Sequence, residues 1–297
     1  MAQHTQAARN GKRKAPDSGH PESSLQGCSY PLRLSILKNA LTAAEKKAGE
    51  YFLGNPEAAY LSITEVAQTS SLGYGTIIRF CQKMGCAGFQ DFKVLLAQEL
   101  GAAGRAGKAE QPDSVSAHTE KMRSDLRNTV NLLDRKALKK IAASMVRARF
   151  VLVAGIAGSA ALAHGFNYRL SRVGIYSAAC TEGYPMAIRA ATLKKGDVFF
   201  GMSFSGATKD LVNAAQIAKR EKATVVALTG FIKSPLGEVA NETLVGVSDR
   251  DPFSCEIFSN VPRDFVLDLL FAEICGICPK ADELIQKTFE AISDRRI

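Results

Sequence analysis

Hydrophobic positions along the chain change rhythm near residue 150. Before that point they recur at helical spacing. Thr42 with Glu45 and Ser62 with Glu65 form capping boxes, in which each side chain satisfies an orphan backbone donor. They predict a helix from 42 to about 53, stopped by Gly54-Asn55-Pro56, and a second from 62 with Ile63, Val66 and Ala67 facing inward. Residues 69–73 read as a turn. A third helix is predicted over 74–84, where Ile77, Phe80, Cys81 and Met84 fall at i, i+3, i+4 and i+7. Thr76, Arg79, Gln82 and Lys83 occupy its other face, and Gly85 ends it. Phe89, Phe92, Leu95 and Leu96 mark a further amphipathic helix. Residues 101–113, GAAGRAGKAEQPD, read as a linker, and 115–147 as one or two helices.

From Phe150 the pattern becomes apolar runs bounded by glycine, at 150–154, 198–202 and 224–228, with a weaker run at 174–178. Helical segments at about 159–172, 183–192 and 208–221 separate them, and two more helical stretches fill 262–292. Fully apolar strands alternating with helices predict a parallel sheet covered on both faces. The fold class is therefore two-domain: an all-α helix-turn-helix N-terminal domain, then an α/β domain with a mainly parallel sheet flanked by helices. The expected division is a disordered basic tail over 1–30, the helical domain over 31–100, the linker over 101–113 and the α/β domain over 114–297.

Composition sharpens this picture. A length of 297 residues suits two domains. With 46% hydrophobic and 23% charged residues, wholesale disorder, a collagen-like repeat and a disulfide mini-protein are excluded. The net charge of +9 divides into 13 Lys+Arg against 9 Asp+Glu up to residue 110, and 25 against 20 beyond it. That excess allows an acidic partner such as nucleic acid or phosphate without choosing between them. No apolar run of about 18 residues appears, so no membrane partner is expected. The polar stretch Met1–Pro31, with Lys12-Arg13-Lys14, lacks an apolar signal core; a cytoplasmic protein is expected. Among seven cysteines, Cys275 and Cys278 form one CxxC. A structural zinc site needs two more ligands, and His4, His20, His118 and His164 all lie elsewhere in the sequence. Core thiols, no metal and no cofactor are expected.

A short helix, a tight turn and a second helix with a polar face match the helix-turn-helix pattern. In that arrangement one helix braces on the DNA backbone and the next enters the major groove. Arg79 and Lys83 can reach phosphates or guanine edges, while Gln82 and Thr76 can bond to bases. Spacing alone leaves a plain helical bundle with a solvated face equally open. The stretch 41–100, above all SITEVA at 62–67 and TIIRFCQKMGCAGFQDFK at 76–93, resembles the N-terminal domain of RpiR-type transcriptional regulators. The resemblance implies that Thr76, Arg79, Gln82 and Lys83 lie on the recognition helix. Where that family has a small polar cap and helix formers, this chain has Gly73-Tyr74-Gly75. Either a looser helix start, since glycine costs roughly 1 kcal/mol there, or a DNA contact made by Tyr74 itself is the expected consequence.

In the second domain two small-residue loops follow apolar runs: Gly155-Ile156-Ala157-Gly158-Ser159-Ala160 and Ser203-Phe204-Ser205-Gly206-Ala207-Thr208. Ligands bind at such strand-to-helix turns in open parallel sheets. Backbone N–H groups and a helix N-terminus favour an anion there, and hydroxyls add hydrogen bonds. Four hydroxyls, from Ser159, Ser203, Ser205 and Thr208, are expected to converge on one phosphate. Ala207 stands where a P-loop needs lysine, and the first loop fails the dinucleotide fingerprint. Two ordinary tight turns remain the alternative reading from spacing. GIAGSA with SFSGATKD, continuing through LTGFIKSPLGEVA at 228–240, resembles the SIS (sugar isomerase) domain over roughly 135–245. The resemblance implies phosphosugar binding by Gly158, Ser159, Ser203, Ser205, Gly206 and Thr208. Beyond 245, Ser259-Asn260-Val261-Pro262-Arg263 stands where relatives carry a Ser-Arg helix start.

Together the resemblances imply a regulator bound to double-stranded operator DNA as a homodimer or homotetramer, its hold modulated by a phosphorylated sugar. The 101–134 segment is the expected mechanical link. The rival is a phosphosugar isomerase or lyase, which requires an acid/base group beside the sugar. His164, Glu182 and Glu256 are the candidates.

Overall fold

The computed structural model describes residue 25 and residues 28–106, 114–248 and 259–293. Among the described residues seven α-helices precede the first strand: α1 (Tyr30–Leu37), α2 (Ala43–Gly54), α3 (Ile63–Ser70), α4 (Tyr74–Lys83), α5 (Phe89–Ala106), α6 (Ser114–Leu132) and α7 (Arg135–Arg147). The α/β part follows as β1 (Val151–Gly155), α8 (Ala160–Arg172), β2 (Ser177–Cys180), α9 (Gly183–Ala191), β3 (Val198–Ser203), α10 (Lys209–Arg220), β4 (Thr224–Thr229), α11 (Pro235–Val239), β5 (Glu242–Val245), α12 (Val261–Ile277) and α13 (Ala281–Glu290). No helix among the described residues is long and apolar enough to cross a membrane.

Both capping boxes form, with the Glu45 and Glu65 carboxylates reaching back to the N–H groups of Thr42 and Ser62. Ser71, in the left-handed region at φ 56, ends α3 and turns the chain into α4. The Ile77, Phe80, Cys81 and Met84 stripe is fully buried. It packs into a cluster of rings in which Phe80 stacks on Phe52 and meets Tyr30 and Phe92 edge-on. Burial pushes the Cys81 thiol up to about 12, so it packs as a small hydrophobe.

Two boundaries and one strand differ from the sequence expectation. Ser29 caps α1 through Leu32 N, and Leu25, Cys28 and Tyr30 are buried in the first core. The polar composition of the N-terminal stretch thus conceals an apolar anchor inside the expected tail; residues 1–24 and 26–27 lie outside the described residues. Helix α5 continues to Ala106, through half of the stretch read as linker, because alanine and arginine propagate a helix readily. Residues 107–113 are outside the described residues. A fifth strand, Glu242–Val245, also appears. Its short and partly polar sequence carries no apolar run.

The sheet is parallel throughout, in the order β2-β1-β3-β4-β5. The chain leaves β1 for β2 on one side, then crosses to β3 on the other. The crevice between the carboxyl ends of β1 and β3 is therefore the topological switch point, where ligands bind in such sheets. One face is covered by α7, α8 and α12 through Leu138, Phe166 and Leu270, the other by α9 and α10 through Met186 and Leu211. Cys275 and Cys278 are half-buried against the first of these cores. The helical unit is not separate from the sheet, since Val245 and Val247, at the end of β5, belong to the N-terminal core.

Candidate functional site

On α4, Arg79 and Gln82 are exposed, Thr76 is half-buried, and Tyr74 is 49% exposed. Gly73 caps the helix without a side-chain hydrogen bond. The Arg79 guanidinium lies back along Gly75, where a Cβ would stand 3.2 Å from Nη1. The glycine that loosens the helix start thus leaves room for the arginine head. Lys83 is partly exposed, but its ammonium is held by neighbouring groups of the same unit. Its Nζ is 2.6 Å from Glu45 Oε2 and donates to Ala40 O at 3.0 Å. Burial pushes the Glu45 carboxyl up, but hydrogen bonds from Lys83 and Thr42 outweigh it and hold the group below the usual carboxylate range. Of the five residues expected to face DNA, Tyr74, Arg79, Gln82 and Lys83 are exposed and Thr76 is half-buried, and Lys83 also braces α4 against the start of α2.

In the second loop, Ser203 Oγ lies 3.5 Å from Ser205 Oγ and 3.1 Å from Thr208 Oγ1. Gly206 N donates to Ser203 Oγ at 3.1 Å, and Ala207 N to Ser205 Oγ at 3.2 Å. Gly206 has φ +62, and a Cβ there would lie 2.4 Å from Ser234 Cβ; only glycine closes this turn without strain. Thr208 is the N-cap of α10, yet its side chain makes no capping bond. Its hydroxyl joins the serines, and the first-turn donors of α10 are not taken up by it.

The first loop is built differently. Gly155 must be small because a Cβ would meet Ser159 O at 2.6 Å. Ala157 is held at φ 51, a conformation costing a non-glycine residue roughly 1–2 kcal/mol. Such strain collects at ligand sites. Ser159 does not bond to the hydroxyls of the second loop. Its Oγ accepts from Arg263 Nη1 at 3.0 Å, while Gly158 O accepts from Asn260 Nδ2 at 2.9 Å. The structure therefore brings three of the four expected hydroxyls together and ties the fourth to α12. Arg263 went unread in the sequence, although its segment stood out as a departure from the family pattern.

His164 is exposed on α8, and Glu182 is the exposed residue before α9. Neither has a hydrogen bond to the hydroxyl cluster among the described residues, and Glu256 lies outside them. A separate groove of about 570 Å³ between α6, α7 and α12 is lined chiefly by apolar side chains such as Leu133, Leu138, Phe265 and Leu269. It has no gathered set of hydroxyls and amides.

The two units touch at the loop itself. Asn39, in the single 3₁₀ turn after α1, donates through Nδ2 to Ser205 O at 3.2 Å. Val247 N donates to Thr129 Oγ1 at 3.2 Å, and Ser248 Oγ to Asp125 Oδ2 at 2.9 Å, fastening the end of β5 to α6. Asn39 thus contacts the second loop directly, while Asp125 and Thr129, inside the 101–134 segment expected to be the link, hold the end of β5.

Residues 30–103 match the model of the rpiR-family helix-turn-helix domain, and residues 144–271 that of the SIS domain. An HTH-type transcriptional regulator of Haemophilus influenzae is 31% identical over 284 residues, covering 89% of this chain and 96% of that protein. The Vibrio vulnificus NanR protein, solved in complex with ManNAc-6P, has a TM-score of 0.60 at 26% identity, over 90% of this chain and 99% of that one. The sugar isomerase domain of an RpiR transcription factor from Sphaerobacter thermophilus has a TM-score of 0.54 at 27% identity, over 61% of this chain and 99% of that one. With a relative this similar along nearly its whole length, and with both domain models matched in order, the chain belongs to the rpiR family of helix-turn-helix transcriptional regulators, its second part being a SIS domain.

Proposed function

We propose that this regulator is a phosphosugar sensor whose grip on operator DNA changes when the β1/β3 crevice fills. The observation that carries the reading is the Asn39–Ser205 hydrogen bond. Asn39 adjoins Ala40, whose carbonyl holds Lys83 of α4, so the effector loop is three contacts from the DNA-facing helix. A ligand shifts such an equilibrium only through differential affinity for its two states. A phosphate drawing on Ser203, Ser205, Thr208 and the amides of Gly206 and Ala207 would reset the loop whose carbonyl Asn39 reads. Tyr74, Thr76, Arg79 and Gln82 form the proposed DNA surface. Lys83 joins it with an ammonium already paired to Glu45, which weakens its pull on a DNA phosphate. NanR, bound to a sugar phosphate, supports this class of effector. A homodimer or homotetramer would place two such helices on a palindromic site.

The reading is of a sensor without turnover, supported by relatives named as HTH-type transcriptional regulators. The test measures binding to the gene's own upstream DNA, at stated salt, with and without a panel of hexose and pentose phosphates. Specific binding altered by one of them is the expected result. Specific binding that no phosphosugar alters defeats the sensor reading. Isomerisation of any member of the panel by the purified protein defeats the no-turnover reading.

A further inference from the structure

A hydroxyl-and-amide cradle carries no formal charge to meet a phosphate dianion. We infer that Arg263 supplies that charge, binding the effector's phosphate from the first loop together with Ser159; this rests on the phosphosugar reading above. Arg263 sits in the first turn of α12 and is 3% exposed. It donates through Nη1 to Ser159 Oγ at 3.0 Å and through Nη2 to Asn260 Oδ1, and its guanidinium carbon lies 5.2 Å from the centroid of the Phe204 ring. Phe204 stands between Ser203 and Ser205, so the guanidinium touches both loops of the crevice.

Among the described residues, the buried guanidinium has no carboxylate within 4 Å and its Nε has no hydrogen-bond partner. Asp197, fully buried, is met by Arg149 at 2.5 Å. An unpaired buried charge opposes folding, and desolvation lowers the Arg263 pKa only to about 10, so the cation persists at neutral pH. Its seat is shaped for it. A Cβ on Gly246 would lie 2.8 Å from both Cα and Cγ of Arg263. A guanidinium fork presents parallel N–H groups that match two phosphate oxygens. Ser159 Oγ, accepting from Nη1, keeps its own proton to donate to the same anion.

The test uses the full chain, with inorganic phosphate, hexose 6-phosphates and the unphosphorylated hexoses as probes, read by calorimetric titration and Tm. Phosphate-bearing probes should bind the wild type and the free hexoses should not. Arg263→Met should weaken phosphate binding by about tenfold or more, with a ligand-free Tm equal to or above the wild type. Arg263→Lys, which keeps the charge but loses the fork, should fall between. Should Arg263→Met fail to fold, unchanged affinity in Arg263→Lys overturns the assignment. A lowered ligand-free Tm with unchanged phosphate affinity in Arg263→Met also overturns it, marking a packing residue. If Ser203→Ala abolishes phosphosugar binding and Arg263→Met does not, the sensor reading stands and the Arg263 assignment fails. If binding depends on Arg263 but leaves DNA affinity unchanged, the assignment stands and the sensor reading fails. A wild type that binds no phosphate-bearing probe overturns both.

Discussion

Lys83 on α4 and Arg263 at the β1/β3 crevice are treated in opposite ways by the same fold. Lys83 is partly exposed, and its ammonium has a buried carboxylate at 2.6 Å and a carbonyl at 3.0 Å. Arg263 is buried, with two neutral acceptors and, among the described residues, no partner for its Nε. The first cation already has a carboxylate partner before any DNA arrives, which weakens its pull on a phosphate. The second keeps donors in reserve, at a cost in stability that a bound anion would offset. A shared basic excess therefore says little about either surface; what matters is whether each charge already has a partner.

The sharpest way to break the first half of that contrast is to remove its support. Phe80 stacks on Phe52 and meets Tyr30 and Phe92, and Phe80→Ala should cost about 3–5 kcal/mol. Urea unfolding should show the loss, and DNA binding should disappear with it. Next in size is Gly206→Ala. It forces a side chain into a left-handed turn and against Ser234, at about 1–2 kcal/mol for the backbone alone. The Tm gain from phosphate should vanish while DNA binding persists; a retained gain would mean the loop is not the cradle. Arg79→Ala is expected to weaken DNA binding and lower the salt slope by about one, whereas Arg263→Met should leave that slope alone.

The smallest effect sharpens the Lys83 side. Glu45→Gln disturbs both the ion pair and the capping box, which is worth about 1 kcal/mol at neutral pH. The Glu45 pKa is lowered on folding. Its contribution is therefore present above the ordinary carboxylate pKa of about 4.3 and is lost as pH falls through the folded value. Urea midpoints of wild type and Glu45→Gln should differ at pH 7 and converge in acid. A gap constant down to pH 3 would show that the carboxylate charge contributes nothing.

How much of this was legible in the sequence follows from how local each signal is. Thr42/Glu45, Ser62/Glu65 and the stripe from Ile77 to Met84 act within one or two turns, so the helices of the first unit could be read directly. The β1 and β3 loops were legible because small residues and hydroxyls cluster next to apolar runs. Strand β5 was not, since Glu242-Thr243-Leu244-Val245 gains its place by pairing with Val226–Thr229. Nor was the buried anchor at Leu25, Cys28 and Tyr30, whose neighbours in sequence are polar. Lys83 met Glu45 across 38 positions and Arg263 met Ser159 across 104. No periodicity records such pairs, and each changes what its residue can do.

The central claim is that Asn39 reads the effector loop for the DNA-facing helix. It is tested most directly by measuring operator affinity with and without the tightest-binding hexose phosphate, in the wild type and in Asn39→Ala. The wild type should show a ligand effect within the 5–150-fold range of ordinary coupling. Asn39→Ala should bind DNA and phosphosugar separately, with the ligand effect collapsed toward one. If Asn39→Ala keeps the full effect, the coupling does not run through this contact and the claim is wrong.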